Sequence, residues 1–75
     1  MTNEKIKEKV KDFVRNELKW AKKAKDFDDI SIINCRAIAY GALQFTINLL
    51  PSEDYTELST FWEGMHKEFT DLIGG

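Results

Sequence analysis

The sequence predicts an all-α fold, a three-helix up-down-up bundle that can dimerise into a larger helical bundle. Three observations predict it. Apolar residues recur every three or four positions near both ends of the chain, a long apolar segment lies between them, and helix-starting and helix-stopping residues stand at the joins. At 75 residues the chain holds one domain, residues 1–75, and no more.

The first helix is expected over residues 3–25. Ile6, Val10, Phe13, Glu17, Trp20 and Ala24 follow the spacing of one helix face, and Val14, Leu18 and Ala21 widen it. Thr2 or Asn3 can cap the start, and Glu4 suits the positive end of the helix dipole. Lysines, good helix formers, fill the remaining arc.

Asp26 to Asp29 form an acidic connector, with Asp28 or Asp29 as the next N-cap. The second helix is expected over residues 29–50 and ends before Pro51, because the residue preceding proline disfavours helical torsions. The alternation Phe45, Ile47, Leu49 admits a strand locally, but the length of the segment and Ala37, Ala39 and Ala42 favour helix. The segment is apolar on nearly all sides, which predicts a central helix buried against more than one neighbour.

The third helix is expected over residues 53–73, with Ser52 as N-cap and Glu53 and Asp54 in the first turn. Tyr55, Leu58, Trp62, Met65, Phe69 and Leu72 make the most regular stripe in the chain, and Gly74 and Gly75 end it. Most of the aromatic residues, Phe27 among them, read as core. Short connectors make neighbouring helices antiparallel, so the first helix should lie beside and parallel to the third.

That arrangement gives the charge distribution a structural use. Residues 1–25 carry nine Lys/Arg and four Asp/Glu, whereas residues 26–75 carry two and nine, for a net charge of −2. Such asymmetry can mark a basic arm for nucleic acid or two helices attracting each other. Lys5, Lys7, Lys9, Lys11, Lys19, Lys22 and Lys23 spread round the polar arc, interrupted by Glu8, Asp12 and Glu17, and the acidic remainder would repel phosphate. Nucleic acid is therefore the weaker expectation.

A membrane span needs about 20 consecutive apolar residues. Ile30 to Leu50 comes nearest, but it carries Asn34, Arg36, Gln44 and Asn48, and Thr2 to Lys25 lacks the apolar run of a secretory leader. A soluble, cytoplasmic protein with no membrane partner is the expectation. One cysteine, Cys35, and one histidine, His66, offer no metal-ligand spacing, so no metal and no cofactor is expected. A small core that has neither disulfide nor metal needs very good packing or a partner subunit.

Several residues break the pattern. Glu17 sits within the first apolar stripe, and Arg36 is the sole charge between Asp29 and Glu53. An ion pair between Glu17 and Arg36 that fixes helix register is one reading; a pair that binds a ligand or partner is another, and exposure of either at a helix edge is a third. Asn34, Ala37, Gly41, Gln44 and Asn48 share one small, uncharged face of the second helix. It is either the solvent side of the bundle or the place where two copies meet, and Gly41 inside a helix suggests close packing there. Phe61 and Trp62 form an apolar pair that is hard to bury in one small monomer, a second candidate interface. Cys35 and His66 would need the fold to unite them before they could act as nucleophile and base.

RAIAYGALQF at Arg36 to Phe45, followed by FWEGMHKEF at Phe61 to Phe69, resembles a group of small uncharacterised helical proteins of Gram-positive bacteria and their phages and mobile elements. The resemblance covers the last half of the chain and implies no activity. It implies that Tyr40, Gly41 and Trp62 act together where the second and third helices meet. It also admits a phage- or mobile-element-type regulator that binds a host protein or nucleic acid, with Glu53, Asp54, Glu57, Glu63, Glu68 and Asp71 as the acidic surface.

No clustered acid, base and nucleophile names a reaction, so no enzyme is expected. The leading expectation is a non-enzymatic helical interaction or assembly module, as a homodimer or with another protein.

Overall fold

The computed structural model describes residues 2–26 and 28–74; Met1, Phe27 and Gly75 lie outside the described residues. Three helices follow in order: α1, Asn3–Ala24; α2, Asp29–Leu49; and α3, Tyr55–Gly74, with a 3-10 turn at Ser52–Asp54 before the last. They form an all-α three-helix bundle, and no strand occurs among the described residues.

The helix starts follow capping chemistry. Thr2 Oγ1 accepts a hydrogen bond from the Lys5 backbone N–H at 3.2 Å. Asp28, not Asp29, caps α2: its Oδ1 accepts from the Ser31 backbone N–H at 2.6 Å, and that bond holds its carboxyl below the usual range. Leu50 is extended at φ −103° and ψ 159°, as a residue before proline should be, and this ends α2.

Ser52 does not cap α3. The Asp54 N–H bonds the Pro51 carbonyl at 3.0 Å and the Tyr55 N–H bonds the Ser52 carbonyl, so the chain turns as a 3-10 helix before α3 begins. The turn brings Asp54 against α1.

There Asp54 meets Lys7. Lys7 Nζ lies 2.9 Å from Asp54 Oδ1, 3.2 Å from Glu57 Oε1 and 2.7 Å from Glu4 Oε1. Lys11 reaches Glu57 Oε2 at 2.8 Å, and further along Lys22 lies 3.8 Å from Glu68. The start of α1 thus pairs with the start of α3 and its end with the later part of α3, which makes the two helices parallel. The basic first helix does lie beside the acidic third. Lys7 is the exceptional member: its side chain is only 5% accessible, screened by carboxylates rather than by a deep apolar layer. Glu4 first and Asp54 second hold its ammonium well above the ordinary lysine value, against the opposing effect of burial.

The core consists of Val14, Leu18, Ala21, Ile32, Ala39 and Phe69 in one cluster and Val10, Leu43 and Leu58 in a second. Phe61 and Trp62 pack against both clusters. The stripe expected on α3 is present, with Leu58 and Phe69 buried and Tyr55 exposed at its end. On α1 the buried line is displaced from the expected one. It runs through Lys7, Val10, Val14, Leu18 and Ala21 and leaves Phe13 and Trp20 exposed. The carboxylates on Lys7, Lys11 and Lys22 turn that side of α1 toward α3, and Phe13 and Trp20 rotate outward.

The expected all-round burial of α2 is corrected. Only Ile32, Ala39 and Leu43 of α2 are buried. Two neighbours cover one face of a helix, and a three-helix bundle gives α2 no third neighbour. Among the described residues, α2 is the one helix long and apolar enough to cross a membrane by length and composition, yet 17% of that window is buried in the fold. Its remaining apolar side chains face outward.

Candidate functional site

The outward apolar side chains are organised. Phe13 and Trp20 are seven residues apart, close to two helical turns, and so share one edge of α1 with Glu17 between them. Cys35, Ile38, Ala42, Phe45 and Leu49 share one edge of α2 by the same periodicity. The Glu17 carboxylate is near enough to the Cys35 thiol to disfavour its thiolate, which places these two edges side by side along the α1–α2 seam. Along it Phe13, Trp20, Ile38, Phe45 and Leu49 are 42%, 55%, 52%, 68% and 67% exposed. Ile30, also exposed, lies on the adjoining side of α2, with Ala37 and Gly41. Lys23 Nζ sits 4.8 Å from the Trp20 ring centroid and borders the strip with a cation.

Beside the strip runs the small, uncharged row of α2. Asn34, Ala37, Gly41 and Asn48 are exposed and Gln44 is half-buried. A Cβ built on Gly41 meets nothing within 4 Å, so the close packing expected there is absent within this chain. The row is open, and it continues the apolar strip across the outward face of α2.

Arg36 stands on the other edge of α2. The expected Glu17–Arg36 ion pair does not form among the described residues. Glu17 meets Cys35 instead, and one residue along a helix is a rotation of about 100°, which carries Arg36 round toward α3. There Arg36, Ala37, Tyr40, Trp62 and His66 line an open cleft of about 410 Å³. The rings step along it: Tyr40 to Trp62 at 5.2 Å between centroids, then Trp62 to His66 at 5.7 Å. Tyr40 and Trp62 meet here, as the resemblance implied, while Gly41 faces outward.

Phe61 and Trp62 are not surplus surface; both are half-buried. The Phe61 ring receives the Arg15 guanidinium at 5.2 Å and Lys11 Nζ at 5.8 Å. Cys35 and His66 lie on opposite sides of α2 and do not converge. Burial, and secondarily Glu17, pushes the Cys35 thiol up, away from the nucleophilic thiolate. Of the acidic surface considered above, Asp54, Glu57 and Glu68 are engaged with lysines of α1. Among the described residues no three His, Cys, Asp or Glu side chains form a metal-sized group.

The exposure of Phe13 and Trp20 and the burial of Lys7 escaped the sequence reading. Lys7 did carry a signal: it stands three residues before Val10 and seven before Val14, on the same helix side. No known protein family matches the chain, and no characterised protein or solved structure is significantly similar to it.

Proposed function

We propose that this chain is a non-enzymatic assembly module that pairs with a second copy of itself through the α1–α2 seam and the adjoining open row of α2. The observation that carries this reading is the row of exposed apolar side chains along the seam, Trp20 and Phe13 of α1 with Ile38, Phe45 and Leu49 of α2, interrupted by Glu17 alone. At roughly 200 Å² for a fully exposed large side chain, those exposures leave on the order of 500 Å² of open apolar surface. That is near the upper end of the largest apolar patch a typical monomer carries, and such patches often mark a binding surface. With Ile30 and the Ala37–Gly41 row the patch approaches the roughly 800 Å² that each partner contributes to a standard interface.

A second copy also satisfies the electrostatics. The outward face of α2 carries no acid or base between Asp29 and Leu49 apart from Arg36 at the far edge, so two such faces meet without like charges opposed. Ala37 and Gly41 let a partner backbone come close while Ile38 and Phe45 pack beside it. A self-complementary patch of this kind closes as a two-fold dimer. A cytoplasmic location accords with the single reduced thiol.

The test is absolute mass by light scattering after size exclusion, over a dilution series. The expected mass is about 17 kDa, twice the 8.7 kDa of the chain, and it persists on dilution. Gly41→Leu and Phe45→Glu should each return the mass to that of one chain with the helical circular dichroism unchanged. A wild-type monomer at every concentration overturns the reading and gives the strip to a foreign partner.

A further inference from the structure

We infer that the cleft between α2 and α3 binds an aromatic carboxylate, a flat ring bearing one carboxyl group, with Arg36 holding the carboxylate. This does not rest on dimerisation: Arg36, Tyr40, Trp62 and His66 lie on the edge of α2 away from the seam, and Ala37 alone borders both the cleft and the proposed dimer surface.

Three observations point to that ligand class. Arg36 is half-buried and has no carboxylate partner among the described residues, although the chain carries 13 Asp and Glu. Most of the other cations near the core, Lys7, Lys11 and Lys22, are matched to acids of α3, so the unmatched guanidinium stands out. A guanidinium fork fits the two oxygens of a carboxylate in bidentate fashion. No lysine lines the cleft, and Arg36 lies in mid-helix, away from the free N–H groups of a helix start. A phosphate dianion, which such sites usually surround with several donors, is therefore poorly served.

The rings supply the second half of the recognition. Tyr40, Trp62 and His66 step along the cleft at 5.2 Å and 5.7 Å between centroids, tilted by 46° and 40°. Such a surface seats a further ring in an offset or edge-to-face arrangement. A volume of about 410 Å³ lies at the lower end of the range for small-ligand sites and accommodates one ring with a short acid-bearing chain.

The experiment is an amide and indole N–H shift titration by NMR on the full chain, with 3-phenylpropionate as the probe. Saturable shifts confined to residues 36–40 and 62–66 and the Trp62 indole are expected, with a Kd of the order of 1 mM for so small a ligand. 3-Phenylpropylamine keeps the ring and reverses the charge; acetate and inorganic phosphate keep the charge and lack the ring. All three should bind at least ten-fold more weakly. Arg36→Gln should weaken 3-phenylpropionate at least ten-fold, and Arg36→Lys, which keeps the charge but not the fork, by a smaller factor. Should Arg36→Gln fail to fold, the Lys variant alone decides. Equal binding of the amine, equal binding of acetate or phosphate, shifts centred on Phe13 and Phe45, or undiminished affinity in the folded Arg36 variant overturns the assignment.

Discussion

Lys7 Nζ lies 2.9 Å from Asp54 Oδ1 and ties the second turn of α1 to the connector before α3, across 47 residues of sequence. Glu4 and Glu57 complete a three-carboxylate cage around the ammonium. Removing the cation would leave three carboxylates facing one another with Asp54 largely shielded from water. Lys7→Met should therefore lower the Tm by roughly 5 °C or more. Asp54→Asn should cost less, since Glu4 and Glu57 still hold the lysine. Thermal melts followed by circular dichroism check the order of the two variants.

The same cage sets a pH dependence. Lys11 first and Lys7 second hold the Glu57 carboxyl below its ordinary value of 4.5. A group that ionises more readily when folded stabilises the fold above 4.5, and that contribution is lost as pH falls through the lower folded value. Lys7 is shifted the other way, above its ordinary 10.5. Its contribution is complete below 10.5 and is lost as pH rises through the folded value. The Tm should be flat between 4.5 and 9.0, decline gently above 9.0 as the thiolate of Cys35 favours the unfolded chain, fall on the acid side less steeply in Glu57→Gln, and fall above 10.5 less steeply in Lys7→Met. Melts from pH 3 to pH 12 would show it.

Core and seam residues should respond differently to truncation. Leu58 and Phe69 are fully buried, so Leu58→Ala and Phe69→Ala should each cost about 2–5 kcal/mol. That is a large share of the about 5–15 kcal/mol available to a native domain. Phe45→Ala should cost under about 1 kcal/mol in dilute solution, because surface truncations do little to the monomer. Its cost should grow with protein concentration if a second copy covers it. Denaturant titrations at two concentrations separate the two behaviours.

Cys35 should be a slow thiol. Burial and the Glu17 carboxylate both disfavour its thiolate, so alkylation by iodoacetamide at neutral pH should be slower in the folded chain than in urea. Glu17→Gln removes the neighbouring negative charge and should speed the folded reaction by about two- to five-fold. An unchanged rate would mean that access alone controls the thiol.

Much of the fold was legible in the sequence because local chemistry sets it. Thr2 and Asp28 cap the helices, Pro51 ends α2, and the period of Leu58, Trp62, Met65 and Phe69 fixes the inward face of α3. The parallel pairing of a basic α1 with an acidic α3 followed from charge and connector length. The site was less legible for a physical reason. The small polar row of Asn34, Gly41 and Asn48 marked the outward side of α2, but the apolar residues filling the rest of the helix left open which of them its neighbours would cover. Glu17 gave the face on which to seek a partner but not the register, and a shift of one residue exchanged Arg36 for Cys35. Lys7 was hidden because a lysine counts as polar until three carboxylates from two parts of the chain enclose it.

The sequence separation spanned by the Lys7 cage also sets an expectation for the order of folding. The α1–α2 hairpin closes over a connector of a few residues, whereas Lys7 waits for Asp54 and Glu57 at the far side of α2. Nearby segments meet sooner than distant ones because their loop-closure entropy is smaller. During synthesis the hairpin can therefore dock before α3 has been made, with Lys7 still solvated. The cage is expected to close after the hairpin, as a latch that engages only once Asp54 and Glu57 have been made. Variants of Lys7 should then mainly accelerate unfolding and leave the refolding rate almost unchanged.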